Sequence, residues 1–262
     1  LITGASCGLG KDFAYELASR RYNLLLVSLK DEGLPGLCTE LSDLYDIKAD
    51  YFEADLSEPD TVFMVADWAI SKGHVAILVN NAGIGGTKAF DDASVKYIDN
   101  IIQINIRATS LLTRLMLPEL KRHDNSYILN VTSTASFSPV AYKTVYPASK
   151  AFIWSFSKGL AEELKNTGIH VSVVSPGPMR TNADVTMRIE NQSMIGRLGV
   201  MTTRKTARIA VNRLFLRNRL IIPGLFNKIN WLLSKLVPLP IRLALVSKVM
   251  KKDLENYALP VK

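Results

Sequence analysis

Cysteine is scarce: Cys7 and Cys38 are the two in 262 residues, and neither has a neighbour at metal-ligand spacing. This argues against a disulfide framework and a zinc site, so no metal is expected, and it fits a reducing, cytoplasmic compartment. No run of 18 uncharged apolar residues occurs, so no segment reads as a membrane span. Repeats with a period of about 20 to 50 residues are missing, as are low-complexity tracts, which removes solenoids and disordered arrays. No Ser/Gly-rich linker divides the chain, and residues 1–262 are expected to form one domain. Acid is absent from one stretch: residues 191–252 hold 13 Lys or Arg and no Asp or Glu, whereas residues 1–190 hold 18 against 22. The net charge of +8 is thus a property of the C-terminal quarter.

The first two thirds alternate short apolar runs with longer amphipathic ones. "NLLLVS" (23–28), "YFEAD" (51–55), "VAILVNNAG" (75–83), "YILNVTS" (127–133) and "HVSVVSPG" (170–177) are rich in Val, Ile and Leu. Strands buried on both faces of a parallel sheet have this composition. Helices are expected between them at about 9–21, 34–45, 58–72, 91–120 and 146–167, with "RLII" (219–222) as one more edge strand. Repeated βαβ units imply an α/β fold with a doubly wound, mostly parallel sheet.

"TGASCGLG" (3–10) turns from a strand end into a helix through Gly4, Gly8 and Gly10. Glycine lets backbone turn sharply and approach a pyrophosphate, whose charge then rests at the helix N-terminus. The candidate coenzyme contacts in this loop are Gly4, Ser6, Cys7, Gly8, Leu9 and Gly10. A carboxylate closing the second strand would bond the 2′-hydroxyl of NAD and repel the 2′-phosphate of NADP. Ser28, Leu29 and Lys30 stand there instead, so NADP is favoured over NAD, although Asp31 and Glu32 follow closely. Asp55, followed by Leu56, either accepts from an adenine amino group or caps the helix after Ser57. Asn81, Ala82 and Gly83 of "NNAG" suit backbone packed against a coenzyme.

"YPASK" (146–150) sets Tyr146 and Lys150 four apart, on one face of a helix whose first turn holds Pro147. A phenol titrates near pH 10, and its use near neutrality asks for about 3 to 4 kcal/mol. A nearby ammonium and the positive helix end both push that way. Ser133, thirteen residues upstream at a strand end, can address the same substrate oxygen. Asn105, an amide in an apolar helical stretch, can hold a water that carries protons to Lys150.

Five motifs in order resemble the short-chain dehydrogenase/reductase family over about the first 185 residues: TGxxxGxG, NNAG, the serine, YxxxK, and the PGxxxT of "SPGPMRT". The resemblance implies a seven-stranded Rossmann sheet and hydride transfer between a nicotinamide and a small-molecule carbonyl or alcohol. It makes Tyr146 the acid-base group and gives Lys150 two tasks, lowering the phenol's pKa and binding the nicotinamide ribose. Ser133 would polarise the carbonyl, Asn105 would support the relay, and Pro176, Gly177 and Thr181 would reach the nicotinamide. The family's usual NADP arginine is replaced by Leu29. Its members are usually homodimers or homotetramers.

Beyond Thr181 the motifs stop. A substrate loop is expected at about 182–203, with three methionines suited to a greasy ligand, and a basic amphipathic segment at about 204–252. The tail resembles that of a reductase branch acting on lipid or acyl substrates. Three readings of it stay open: helices packed on the domain or a second subunit, peripheral contact with an anionic membrane, or an acidic partner. No nucleic-acid motif accompanies the charge, so nucleic acid is not expected.

Overall fold

Most strands are nearly continuous apolar runs, and the structure, a computed structural model, shows what each side meets. It describes residues 1–179 and 199–258, with side chains up to residue 251. Seven strands form one sheet: β1 (Ile2–Thr3), β2 (Leu24–Ser28), β3 (Ala49–Glu53), β4 (Ile77–Asn80), β5 (Ser126–Val131), β6 (Ile169–Val174) and β7 (Leu220–Ile221). Their order is β3-β2-β1-β4-β5-β6-β7, and every neighbouring pair is parallel. The order reverses between β1 and β4, the crevice where open α/β sheets place ligands.

Leu26, Val79 and Leu129 point to one face, under α1 (Gly8–Ala18) and α2 (Leu34–Tyr45). Val27, Leu78 and Ile128, their chain neighbours, point to the other, under α3 (Thr61–Ser71), α5 (Thr109–Leu120) and α6 (Val145–Glu163). Burial on both faces is why these strands carry little polar alternation. β3 is the exception, an edge strand with Tyr51 exposed.

Several expected boundaries move, three of them near the site. β4 ends at Asn80, not Gly83, because the Asn81 and Ala82 N–H groups leave the ladder to donate to Thr3 Oγ1 at 3.1 and 3.0 Å. The helix expected at 91–120 is composite: α4 (Val95–Ile101), capped by Ser94, then a π-helical segment (Ile102–Ala108), then α5. The third helix starts at Thr61, three residues later than expected.

Beyond β6 the basic stretch divides. α7 (Thr203–Phe215) buries Ala207, Ala210, Val211 and Leu214 against α1 and belongs to the sheet's helical layer. α8 (Leu225–Leu236) and α9 (Leu239–Ala258) follow β7. Among the described residues no helix is long and apolar enough to cross a membrane.

Candidate active site

The strand ends at the carboxyl edge carry two clusters. The first surrounds the turn after β1. Gly4 and Gly8 have positive φ (64° and 54°), and Cys7 is the exposed N-cap of α1. A Cβ on Gly10 would lie 1.9 Å from the Gly4 carbonyl oxygen, so only glycine lets α1 sit this close to the loop. Leu9 is buried beneath it. Asn81 Nδ2 donates to the carbonyls of Thr3 and Gly4, both at 3.0 Å, which ties the end of β4 to the loop. The result is a fixed backbone concavity at a helix N-terminus, and it fits a pyrophosphate.

The rim of that concavity holds a side chain the sequence reading left outside the site. Glu32 Oε2 accepts from Ser6 Oγ at 2.5 Å and from Ser28 Oγ at 2.8 Å. Asp31, in left-handed backbone (φ 62°), and Gly33 (φ 81°) turn the chain back after β2, and the Asp31 N–H donates to Glu53 Oε1 at 3.1 Å. Leu29 is 46% exposed, and Lys30 is exposed as well. Asp55 turns elsewhere: its Oδ1 accepts from the Ser57 N–H (2.9 Å) and Ser57 Oγ (2.7 Å), closing a local turn ahead of the helix that Asp60 caps. Leu56 beside it is buried.

The second cluster gathers Ser133, Tyr146, Lys150 and Asn105. Ser133 caps a short 3₁₀ helix (Thr134–Phe137), accepting from the Ala135 N–H at 3.1 Å, and hydrogen-bonds the Tyr146 phenol. Pro147 lies in the first turn of α6, so Tyr146 stands at its mouth. Lys150 is buried; its Nζ donates to the Val131 carbonyl at 3.1 Å and lies 5.9 Å from the Tyr146 ring centre. A Cβ on Gly83 would come within 2.9 Å of Lys150 Nζ and 3.1 Å of Asn105 Oδ1, so both groups meet at that backbone.

Burial pushes the Tyr146 phenol up, with the Ser133 hydrogen bond pulling it back, while the Lys150 ammonium donates to the Val131 carbonyl. Burial also lowers Lys150 to about 8. Asn105 is held by protein groups: Oδ1 accepts from the Ile84 N–H, and Nδ2 donates to the Ile84 carbonyl and Ser149 Oγ, each at 2.9 Å. The π-helical turn carries Asn105 to these partners. Ser149 and Thr3 are further missed supports; the place of Ser149 directly before Lys150 in "YPASK" was the available signal.

Pro176 accepts from the Thr134 N–H at 2.9 Å, joining the end of β6 to the Ser133 segment. Gly177 faces Asn227, which α8 supplies. Thr181, Met187 and Met194 lie outside the described residues.

A helix-mouth phenol bonded to a serine, backed by a buried ammonium and set beside a pyrophosphate cradle, matches the family description that fits the sequence: the short chain dehydrogenase model covers residues 1–192. The chain belongs to the short-chain dehydrogenase family. It is similar to the very-long-chain 3-oxoacyl-CoA reductase of Anas platyrhynchos, 36% identical over 180 residues, 67% of this chain and 58% of that one. It is also similar to the inactive hydroxysteroid dehydrogenase-like protein 1 of Homo sapiens, 32% identical over 178 residues, 67% of this chain and 54% of that one. The match thus spans less than two thirds of the length of these relatives. Among solved structures, a short-chain dehydrogenase from Sphingobium yanoikuyae in complex with NADPH superposes with a TM-score of 0.79 at 28% identity, covering 89% of this chain and 91% of that one.

Proposed function

We propose that this chain is an NAD(P)(H)-dependent oxidoreductase that reduces a carbonyl on a hydrophobic, lipid-like or 3-oxoacyl substrate, with NADPH the favoured coenzyme. The observation that carries the reading is the Tyr146–Ser133 hydrogen bond above the buried Lys150, at the sheet edge that also holds the glycine cradle. A bound nicotinamide supplies the hydride. The cradle from Gly4 to Gly10, with Asn81, Ala82 and Gly83 beside it, would hold the coenzyme's pyrophosphate, and Pro176 and Gly177 would reach the nicotinamide end. Ser133 donates to the substrate oxygen, and Tyr146 gives that oxygen its proton, leaving a phenolate. The buried Lys150 ammonium, 5.9 Å from the Tyr146 ring centre, offsets that charge and would contact the ribose. Asn105 positions this pair through Ile84 and Ser149.

Glu32 works against that preference: its carboxylate occupies the Ser6 and Ser28 hydroxyls, so a 2′-phosphate has to displace it to reach those donors. The name of the duck reductase supports an acyl or other apolar substrate. We further place the protein as one Rossmann-type domain, working in the cytoplasm as a homodimer or homotetramer, with peripheral membrane contact taken up below.

Replacing Tyr146 tests the chemistry. Tyr146→Phe lowers NADPH-linked turnover by about a thousandfold or more while coenzyme affinity survives; unchanged turnover sinks the assignment. A second reading, a nucleotide-binding module without turnover, draws on the human relative's name. It predicts coenzyme binding with no oxidation of NADPH by any carbonyl.

A further inference from the structure

The helices after β7 carry an apolar face that the sheet and its helical layers do not use. Leu225, Phe226, Ile229, Leu232, Leu233 and Leu236 of α8 are all exposed. At about 100° per residue they fall within an arc of about 120°. The inward side is marked by Asn227, buried and donating from Nδ2 to the carbonyls of Gly199 (3.1 Å) and Pro223 (2.8 Å). Trp231, on the same side, has its ring 6.4 Å from that of Phe137. The apolar arc therefore points away from the body. Lys228 and Lys235 are exposed along one of its edges, Lys235 Nζ lying 3.9 Å from the Trp231 ring centre. On α9, Ile241, Leu245 and Val249 are exposed at spacings of four, with Lys248 and Lys251 exposed near them.

We propose that this face seats the protein on an anionic lipid surface. Leucine, isoleucine and phenylalanine on one arc, rimmed by lysine, match what an interfacial helix buries and what it presents to headgroups. Charge selects lipid over a second copy of the chain. With no acid between residues 191 and 252, a two-fold contact through this face would set lysine against lysine. A surface of anionic headgroups has the complementary sign.

The face also adjoins the proposed active site. Phe137 ends the 3₁₀ helix that Ser133 caps, and Arg242 Nη1 donates to its carbonyl at 3.0 Å. Seating α8 on lipid leaves the Ser133 segment behind that helix, one helix diameter or about 10 Å from the surface, so a bilayer-dissolved ketone or acyl chain reaches Tyr146 from the membrane side. This last consequence rests on the reductase reading.

The full chain is sedimented with vesicles of phosphatidylcholine alone and of phosphatidylcholine mixed with phosphatidylserine. Binding is expected to the mixed vesicles at low salt and to weaken at high salt. Lys228→Gln with Lys235→Gln should weaken it about 25-fold, about fivefold for each lysine. Ile229→Ser with Leu232→Ser should abolish it while NADPH affinity stays unchanged. No sedimentation with mixed vesicles at low salt overturns the proposal, as does binding that survives the serine pair. A dimer split by the serine pair, with no vesicle binding by the unsubstituted chain, also overturns it and assigns the face to a second copy. A chain that binds vesicles but never oxidises NADPH overturns the reductase reading alone.

Discussion

Leu112 in α5 and Leu232 in α8 are the same residue on the same kind of element, one 1% exposed and the other 52%. Both helices repeat apolar residues at about 3.6-residue spacing. In the sheet region that pattern is consumed: α5 packs with α3 against Leu78 and Ile128, and Leu112 and Leu120 vanish from the surface. In α8 the pattern faces outward, and only Asn227 is buried. Periodicity thus specifies which side of a helix is apolar but not what covers it. The sheet region folds around its own apolar residues and presents polar groups at one edge for chemistry; the C-terminal helices keep theirs for a contact outside the described fold.

That contrast can be broken at several points. The largest effect is expected at Lys150, a charge buried for function. Lys150→Met should cost about a thousandfold in turnover yet raise stability at pH 7 by up to about 3 kcal/mol in urea unfolding. Burial lowers the ammonium from 10.5 to about 8, so the folded chain binds fewer protons than the unfolded one between those values. Wild-type stability therefore rises with pH across that window, and the variant's advantage should close as pH approaches 10.5. Turnover of the wild type should fall as pH rises through about 8. Next, Leu112→Ala should cost about 2 to 5 kcal/mol, read from the denaturant midpoint. Glu32→Gln should raise the NADPH-to-NADH ratio of kcat/KM about tenfold, since it removes a charge facing the 2′-phosphate without emptying the site. The smallest effect belongs to Leu232→Ser, expected within about 0.5 kcal/mol of the wild type. If it destabilises as much as Leu112→Ala, α8 is part of the core and the contrast is false.

The sheet was legible because parallel strands buried on both faces carry nearly unbroken Val, Ile and Leu, as in β4 and β5. "TGASCGLG" and "YPASK" were legible because their spacing alone places backbone and side chains on a turn and on one helix face. Glu32 was not assigned to the site, since its reach back to Ser6 depends on left-handed backbone at Asp31 and Gly33, which spacing does not encode. Asn105 was found but not its partners: the π-helical segment rotates it toward Ile84 and Ser149. α7 was hidden by its charge. Its Arg and Lys drew it into the basic tail, while Ala207, Ala210, Val211 and Leu214, spaced three or four apart, pack it on α1.

The most direct test is coenzyme oxidation by the unsubstituted chain across aliphatic, steroidal and 3-oxoacyl carbonyls, with NADPH and NADH compared. The account predicts oxidation with at least one hydrophobic carbonyl and a higher kcat/KM for NADPH. Measurable NADPH affinity without oxidation by any of them would contradict it and leave a binding module in its place.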